Sequence, residues 1–338
     1  MKNKILTISV AAYNAEKFLE KCLKSFINSS VLDYLEIIIV NDGSKDSTMK
    51  IAREYEEKYP NSIRVIDKEN GGHGSTINAS IANASGKYFK VVDSDDWVEK
   101  DGIERLVECL KDTDADLVLN PFYEVYVDSE KKELVNLFNP SEENSFADNR
   151  VYDLEVIAGK FDIQMHMATY KTCILRKIDQ KIDEHCFYVD AEYILYPIPF
   201  VKTVQMLNIP VYDYLLGNEG QSVNIKQLIK NRNQHLTVVK HIGEYYLKAD
   251  MDPAQKKVIE TRYTGLVCAQ YFIYYNMEPA ESKKEFFEFE SWLKKNMPYY
   301  YYDAYKAIRE RFFRYIVFNR LTRGLFWNIS INNYNKKK

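Results

Sequence analysis

The stretch Lys90-Val91-Val92-Asp93-Ser94-Asp95-Asp96-Trp97 carries an apolar run straight into three carboxylates and an indole. Acidic side chains crowded at one strand end repel one another, so a bound cation explains them better than stability does. Asp93 and Asp95 are two apart and face the same way in an extended backbone. A hard divalent ion such as Mg2+ or Mn2+ is held by one or two carboxylates together with the phosphates of a substrate. The competing reading is an Asp-rich turn that caps the following helix, and the carboxylates alone leave both readings open.

The elements leading up to this stretch repeat one unit. Ile5 to Ala11 is a short β-branched apolar run, followed by Tyr13-Asn14 and apolar positions at Phe18, Leu19, Cys22, Leu23, Phe26 and Ile27, which predicts strand, loop and helix with Asn14 as N-cap. Leu35 to Val40 predicts a second strand, with Asn41-Asp42-Gly43-Ser44 before a helix carrying Ile51, Tyr55 and Tyr59. Ser62 to Ile66 is a third strand, and Asn70-Gly71-Gly72-His73-Gly74 leads into a small-residue helix from Ser75 to about Ala84. Tyr88 to Val92 is the fourth. Such alternation implies right-handed crossovers and a mostly parallel sheet covered on both faces, whose ligands gather at the carboxyl ends of the strands. Tyr13, Asp42, the glycine turn and Asp93 to Asp96 all fall there, so four loops converge on one crevice.

Beyond the acidic stretch, Leu117 to Asn120 and Tyr123 to Val127 read as strands, Asn139 to Arg150 as an exposed loop, and Phe161 to Leu175 as partly helical. Phe187 to Tyr193 enters a short helix stopped by Pro197, and Val201 to Leu207 and Val211 to Leu216 are two more strands. From about Lys226 onwards the pattern is helical, punctuated by Pro253, Pro279 and Pro298. With 338 residues, 46% hydrophobic and 28% charged, the composition is that of a soluble globular protein, and a net charge of −3 offers no argument for nucleic acid. The five cysteines lack CxxC spacing, so neither a zinc site nor a disulfide framework is expected. The N-terminal apolar run is too short for a signal segment and no run approaches the roughly 18 residues of a membrane span, which predicts a cytoplasmic protein.

Five ordered motifs, Val10-Ala11-Ala12-Tyr13-Asn14, Val40-Asn41-Asp42-Gly43-Ser44, Glu69-Asn70-Gly71-Gly72, Ala84-Ser85-Gly86-Lys87-Tyr88 and Val92-Asp93-Ser94-Asp95-Asp96-Trp97, resemble family 2 glycosyltransferases of the GT-A fold. The resemblance continues more weakly through Tyr188-Val189-Asp190-Ala191-Glu192-Tyr193 and Gly220-Gln221-Ser222-Val223-Asn224. It implies an α/β fold with a Rossmann-like, mostly parallel sheet over residues 1–224, split into a nucleotide-sugar half (1–125) and an acceptor half (126–224), with a helical C-terminal extension over 225–338.

The resemblance further implies an inverting enzyme that uses a nucleotide-sugar, usually a UDP-sugar, and a hydroxyl acceptor on a saccharide, lipid or protein. Tyr13 would lie against the base, Asp42 would accept from the uracil ring, Asp93 would contact the ribose or sugar, and Asp95 would bind Mn2+ or Mg2+. Ala11, Asn14, Gly72 and Ser94 complete the donor contacts, and Asp190 matches the position of the general base. Each has a plainer rival: Tyr13 could pack at the sheet end, Asp42 could be turn chemistry, and Glu192 is the alternative base. His73, His166 and His185 read equally as ligands or core residues. Two positions depart from the pattern: Ala12 stands where many members carry proline, and Ile77 where they carry arginine, for which His73 could compensate as a donor near phosphate.

Lys306, Arg309, Arg311, Arg314, Arg320 and Arg323 interleave with Phe312, Phe313, Tyr315, Ile316, Phe318, Leu325, Phe326 and Trp327. That helix could pack on the domain, form a homodimer, or attach peripherally to the inner face of an anionic membrane. Two other functions compete with transfer: a nucleotide-sugar-binding module without turnover, and a sugar nucleotidyltransferase, although no Gly-rich phosphate loop follows the first strand. A Rossmann dehydrogenase fails for want of GxGxxG.

Overall fold

The computed structural model describes residues 3–129, 131–136, 146–217, 224–302 and 310–335, with backbone alone at 302, 310–313 and 335. They fall into two compact units, Met1–Glu219 with Asp250–Val258, and Gly220–Ala249 with Ile259–Lys338.

The first unit opens with the repeating βα pattern: β1 (Leu6–Ala12), α1 (Leu19–Ile27), β2 (Leu35–Asp42), α2 (Thr48–Lys58), β3 (Ile63–Lys68), α3 (Gly72–Asn83) and β4 (Tyr88–Asp93). Then come β5 (Trp97–Val98), α4 (Lys100–Asp112), β6 (Leu117–Leu119), β7 (Phe122–Tyr126), β8 (Lys132–Val135), β9 (Arg150–Asp153), α5 (Leu154–Ile157), β10 (Ala168–Lys171), α6 (Thr172–Leu175), α7 (Asp190–Leu195), β11 (Thr203–Met206) and β12 (Tyr212–Leu216). The main sheet runs β3-β2-β1-β4-β10-β6-β11-β9, and a second sheet runs β5-β12-β7-β8. Strands β1 to β4 are parallel neighbours, built of residues such as Ile37 to Val40 that are fully buried, as a sheet covered on both faces requires.

Three expectations need correction. The segment Phe161 to Leu175, expected to be partly helical, does end in the helix α6 but also contains a strand, β10, inserted antiparallel between β4 and β6, which the sequence pattern did not show. Asn14 does not cap α1: its φ is +50°, its Oδ1 accepts from Lys45 N at 2.8 Å, and Phe18 stands at the helix start. The helix after the glycine turn begins at Gly72, three residues earlier than its apolar pattern suggested. Part of the expected loop, residues 139–145, and Gly220 to Val223 of the last motif lie outside the described residues.

One core feature underlies the acidic edge. Lys90 on β4 is fully buried, and its ammonium donates to the carbonyls of His166 at 2.7 Å and Ala168 at 3.3 Å. Burial pushes its pKa down to about 7.

The second unit is helical: α8 (Ile225–Lys230), α9 (Arg232–Lys248), most of α10 (Pro253–Tyr275), α11 (Pro279–Asn296), α12 (Pro298–Tyr302), α13 (Glu310–Leu321) and α14 (Trp327–Asn335). Its core is aromatic, with Tyr263, Tyr271, Tyr274, Tyr275, Phe286 and Trp327 buried. No helix among the described residues is long and apolar enough to cross a membrane.

Candidate active site

Strand β4 ends on Asp93, and the turn after it holds Ser94, Asp95 and Asp96, closed by Asp96 N donating to Asp93 O at 3.1 Å. Asp96 is 1% exposed and accepts from the Tyr212 hydroxyl at 2.5 Å and from Leu215 N at 2.8 Å. The same Tyr212 oxygen accepts from Asp93 N at 3.1 Å, so one phenol on β12 clamps both ends of the acidic turn. Asp96 is thus a structural clamp and not a helix cap; Glu99 precedes α4. Burial, then the charges of Asp95 and Asp93, hold its carboxyl well above the usual range.

The other two carboxylates differ from it and from each other. His73 Nε2 lies 3.0 Å from Asp93 Oδ1. Burial would raise the pKa of Asp93, but His73, and then His166, hold it below the ordinary value. Asp95 makes no ion pair among the described residues, and burial together with Asp93 pushes it up to about 6. An under-neutralised carboxylate beside a second one is the donor set that a hard divalent cation takes, so these residues fit such an ion.

Loops from three other strands surround this edge. Asp42, the last residue of β2 and 2% exposed, accepts at Oδ1 from Gly71 N at 2.9 Å and Lys68 Nζ at 2.8 Å, and at Oδ2 from Gly72 N at 2.8 Å. It therefore fixes the glycine turn, where Gly72 holds a φ of +79° that disfavours a side chain. The loops after β1 and β2 are laced together: Asn14 N donates to Ser44 Oγ, Ala15 N to Thr48 Oγ1 and Ser47 N to Glu16 Oε2. Tyr13, at the tip of the first, is 55% exposed, as a stacking surface for a flat ligand would be.

The loop before α7 closes onto the glycine turn. His185 N donates to Gly71 O, Asn78 exchanges hydrogen bonds with the Ile182 backbone, and a Cβ on Gly74 would sit 2.0 Å from Asp183 O. Asp190 opens α7 half-buried, while Glu192 is fully buried. Glu192 accepts from Asp183 N at 2.7 Å and from the Tyr196 hydroxyl at 3.0 Å, and burial pushes it up to about 8. The charge of Asp190 reaches the same imidazole as those of Asp93 and Asp95. Burial alone would lower the pKa of His73, and these three carboxylates raise it. Burial, then Asp96, Asp93, Asp190 and Asp95, likewise raise Tyr214.

Glu192 supplies a pH test. Its folded pKa lies above the unfolded value of about 4.3, so the folded state holds the extra proton between the two, and stability falls as pH rises from about 4 to 8. Glu192→Gln can still accept from Asp183 N through its amide oxygen and donate through its NH2 to the Tyr196 hydroxyl oxygen, and it cannot ionise. The variant is expected to lose less melting temperature than the parent between pH 5 and pH 8, by on the order of 5 °C, in thermal scans across that range.

Residues 7–179 match the family described as Glycosyl transferase family 2, about half of the chain. The chain belongs to glycosyl transferase family 2. Relatives include EpsH of Bacillus subtilis (strain 168), 29% identical over 229 residues that cover 63% of this chain and 61% of that protein. The chondroitin synthase of Pasteurella multocida (strain Pm70) is 29% identical over 238 residues, 70% of this chain and 23% of that one. The chain thus spans less than two thirds of the length of these relatives. Its fold is that of S. aureus TarS 1–349 in complex with UDP-GlcNAc, with a TM-score of 0.68 at 15% identity over 99% of this chain and 92% of that one.

In this family 2 chain, Ala11, Tyr13, Asn14, Asp42, Gly72, Asp93, Ser94 and Asp95 lie at or just beyond the carboxyl ends of β1 to β4, and the charge of Asp190 reaches the same His73 imidazole. His185 contributes backbone, and His166 stacks on Tyr214 with ring centroids 4.2 Å apart. Ile77 is fully buried in α3. Sequence reasoning missed Lys68, Tyr212 and Tyr214. Lys68 sits in a charged run that reads as solvated surface, and the two tyrosines were hidden among 27.

Proposed function

We propose that this chain transfers a sugar from a nucleotide-sugar, a UDP-sugar by preference, to a hydroxyl of a saccharide, lipid-linked or protein-linked acceptor, inverting the anomeric centre during polysaccharide, glycolipid or glycoprotein assembly. The observation that carries this reading is the pairing of an under-neutralised Asp95 with Asp93 at the sheet edge, beside the Asp42-braced glycine turn.

In this reading the base stacks on the exposed ring of Tyr13, and Asp42 sets the Gly71-Gly72 turn against the donor. Ala11, Asn14 and Ser94 line the same face, and Asp93 meets the ribose or sugar with His73 as its counter-charge. Asp95 would hold Mn2+ or Mg2+, which supplies Lewis-acid stabilisation to a departing diphosphate. Asp190 takes the acceptor proton as attack proceeds, since a hydroxyl is a weak nucleophile until a carboxylate within hydrogen-bond reach removes its proton. The remaining work is alignment of two substrates. Glu192 is a poor rival, because both of its oxygens already bind the chain and it is fully buried.

Screening UDP-sugars for release of UDP and for thermal stabilisation, in Mn2+ and in EDTA, tests the reading. A UDP-sugar should raise the melting temperature in Mn2+, and EDTA should remove most of that gain. Donor binding unchanged by EDTA would take the metal role from Asp95. Tight UDP binding with no turnover on any donor and acceptor would favour a binding module.

A further inference from the structure

The helical unit ends in a hairpin, α13 and α14 joined across Thr322 to Phe326, and its two sides are unlike. One side is core. Ile316, Trp327 and Ile331 are buried, the Trp327 ring lies 4.8 Å from Phe286, and its Nε1 donates to Ser282 Oγ at 3.1 Å. Asn319 Nδ2 donates to the Tyr275 hydroxyl and to Ser330 Oγ, both at 2.8 Å. These contacts fix the hairpin without help from its outer face.

That outer face is apolar. Phe318 is 42% exposed, Leu321 79%, Leu325 75%, Phe326 43% and Ile329 57%. Leu321 and Leu325 are the two most exposed large apolar side chains among the described residues. The Phe318 and Phe326 rings lie 6.0 Å apart, so the patch is continuous from one helix to the other. A continuous exposed apolar surface marks an interaction site, since water alone gives no reason to hold it.

Charge decides what it meets. After Glu310 the sequence contains no acidic residue, but it contains Arg311, Arg314, Arg320, Arg323 and Lys336 to Lys338. Arg320 turns inward onto Glu290, whereas Arg314 and Arg323 are exposed on the hairpin. A symmetric dimer would bring this hairpin, basic and, after Glu310, free of acids in its own sequence, against a copy of itself, which like charges oppose. An anionic lipid surface supplies both the apolar depth and the negative charge. A 12-residue helix such as α13 spans only about 18 Å, too short to cross a bilayer, so the mode is interfacial.

We propose that the α13–α14 hairpin docks on an anionic bilayer, with Leu321, Leu325 and Phe326 entering the headgroup–acyl boundary and Arg314 and Arg323 facing lipid phosphates. The proposal stands apart from the donor site and does not depend on the sugar transferred. Co-sedimentation of the full chain with phosphatidylglycerol–phosphatidylcholine vesicles, against phosphatidylcholine alone, tests it. The expected result is binding to the anionic vesicles that weakens with added salt and falls at least about tenfold in Leu321→Glu/Leu325→Glu, with UDP affinity and melting temperature unchanged. Arg314→Glu/Arg323→Glu, which leaves the apolar residues in place, should weaken binding to the anionic vesicles only. No binding of the full chain to anionic vesicles at low salt overturns the proposal, as does binding that survives the double leucine substitution. A dimer in sedimentation velocity that the leucine substitutions dissociate, with no vesicle binding, would assign the patch to a second copy.

Discussion

Asp95→Asn is expected to abolish turnover while making the metal-free protein more stable. The two effects share a cause. Asp95 is pushed up to about 6 by burial and by Asp93, so above that pH the folded protein carries a charge that its surroundings oppose. The unfolded value is about 3.9, and the difference corresponds to about 3 kcal/mol, fully expressed above pH 6 and fading towards pH 4 as both states protonate. Asparagine has nearly the same shape and no charge, so the variant in EDTA should melt a few degrees higher than the parent at pH 7.5. Adding Mn2+ and UDP should reverse the order, because the parent gains stability from ligands that the variant holds poorly. Turnover should fall by about 100-fold or more, the usual loss when one preorganised electrostatic element is removed. Equal melting temperatures in EDTA together with near-normal turnover would deny Asp95 its role.

Asp190→Asn should cost about 100- to 10,000-fold in kcat and leave UDP-sugar affinity close to that of the parent, as removal of a general base does. The contrast with Glu192 makes the assignment testable. Asp190 is half-buried at the start of α7 and shares an electrostatic environment with Asp93 and Asp95 through His73. Glu192 bonds to Asp183 N and to Tyr196, so Glu192→Gln should change the pH dependence of stability and leave most of the turnover. Calorimetric UDP titrations with steady-state rates on both variants would separate them. A Glu192→Gln variant that loses turnover while Asp190→Asn keeps it would reverse the roles.

The sequence made the first four strands legible because each is a β-branched run closed by turn residues, and it made the acidic edge legible because charge seldom follows an apolar strand without a partner. What it concealed was long-range. The role of Asp96 depends on Tyr212 and Leu215, more than a hundred residues away, so no local pattern separates a clamp from a cap. Asn14 reads as a cap from its neighbours, yet the loop after β2 captures it through Lys45 N. Glu192 and Asp190 are two apart in the sequence, and in the fold they are distinguished by burial and by the hydrogen bonds that hold both oxygens of Glu192. Strand β10 is four residues long between a tight turn and a short helix, too brief for its alternation to register.

That brief strand also governs when the protein can complete itself during synthesis. Strand β4, with the carboxylates at its tip, pairs with β1 on one side and with residues 170 and 171 of β10 on the other. The nascent chain must therefore extend well past the acidic turn before the far edge of β4 is covered. An uncovered edge is a template for pairing with other chains. Lys90 follows the paired Tyr88 and Phe89 on β4, and the carbonyls that receive its ammonium belong to His166 and Ala168, in the segment that arrives with β10. Before those carbonyls are in place a lysine ammonium is charged and hydrated, and lysine on an unpaired strand disfavours pairing with other chains. The side chain whose burial is costly in the finished core is thus one whose charge opposes such pairing while β4 is uncovered.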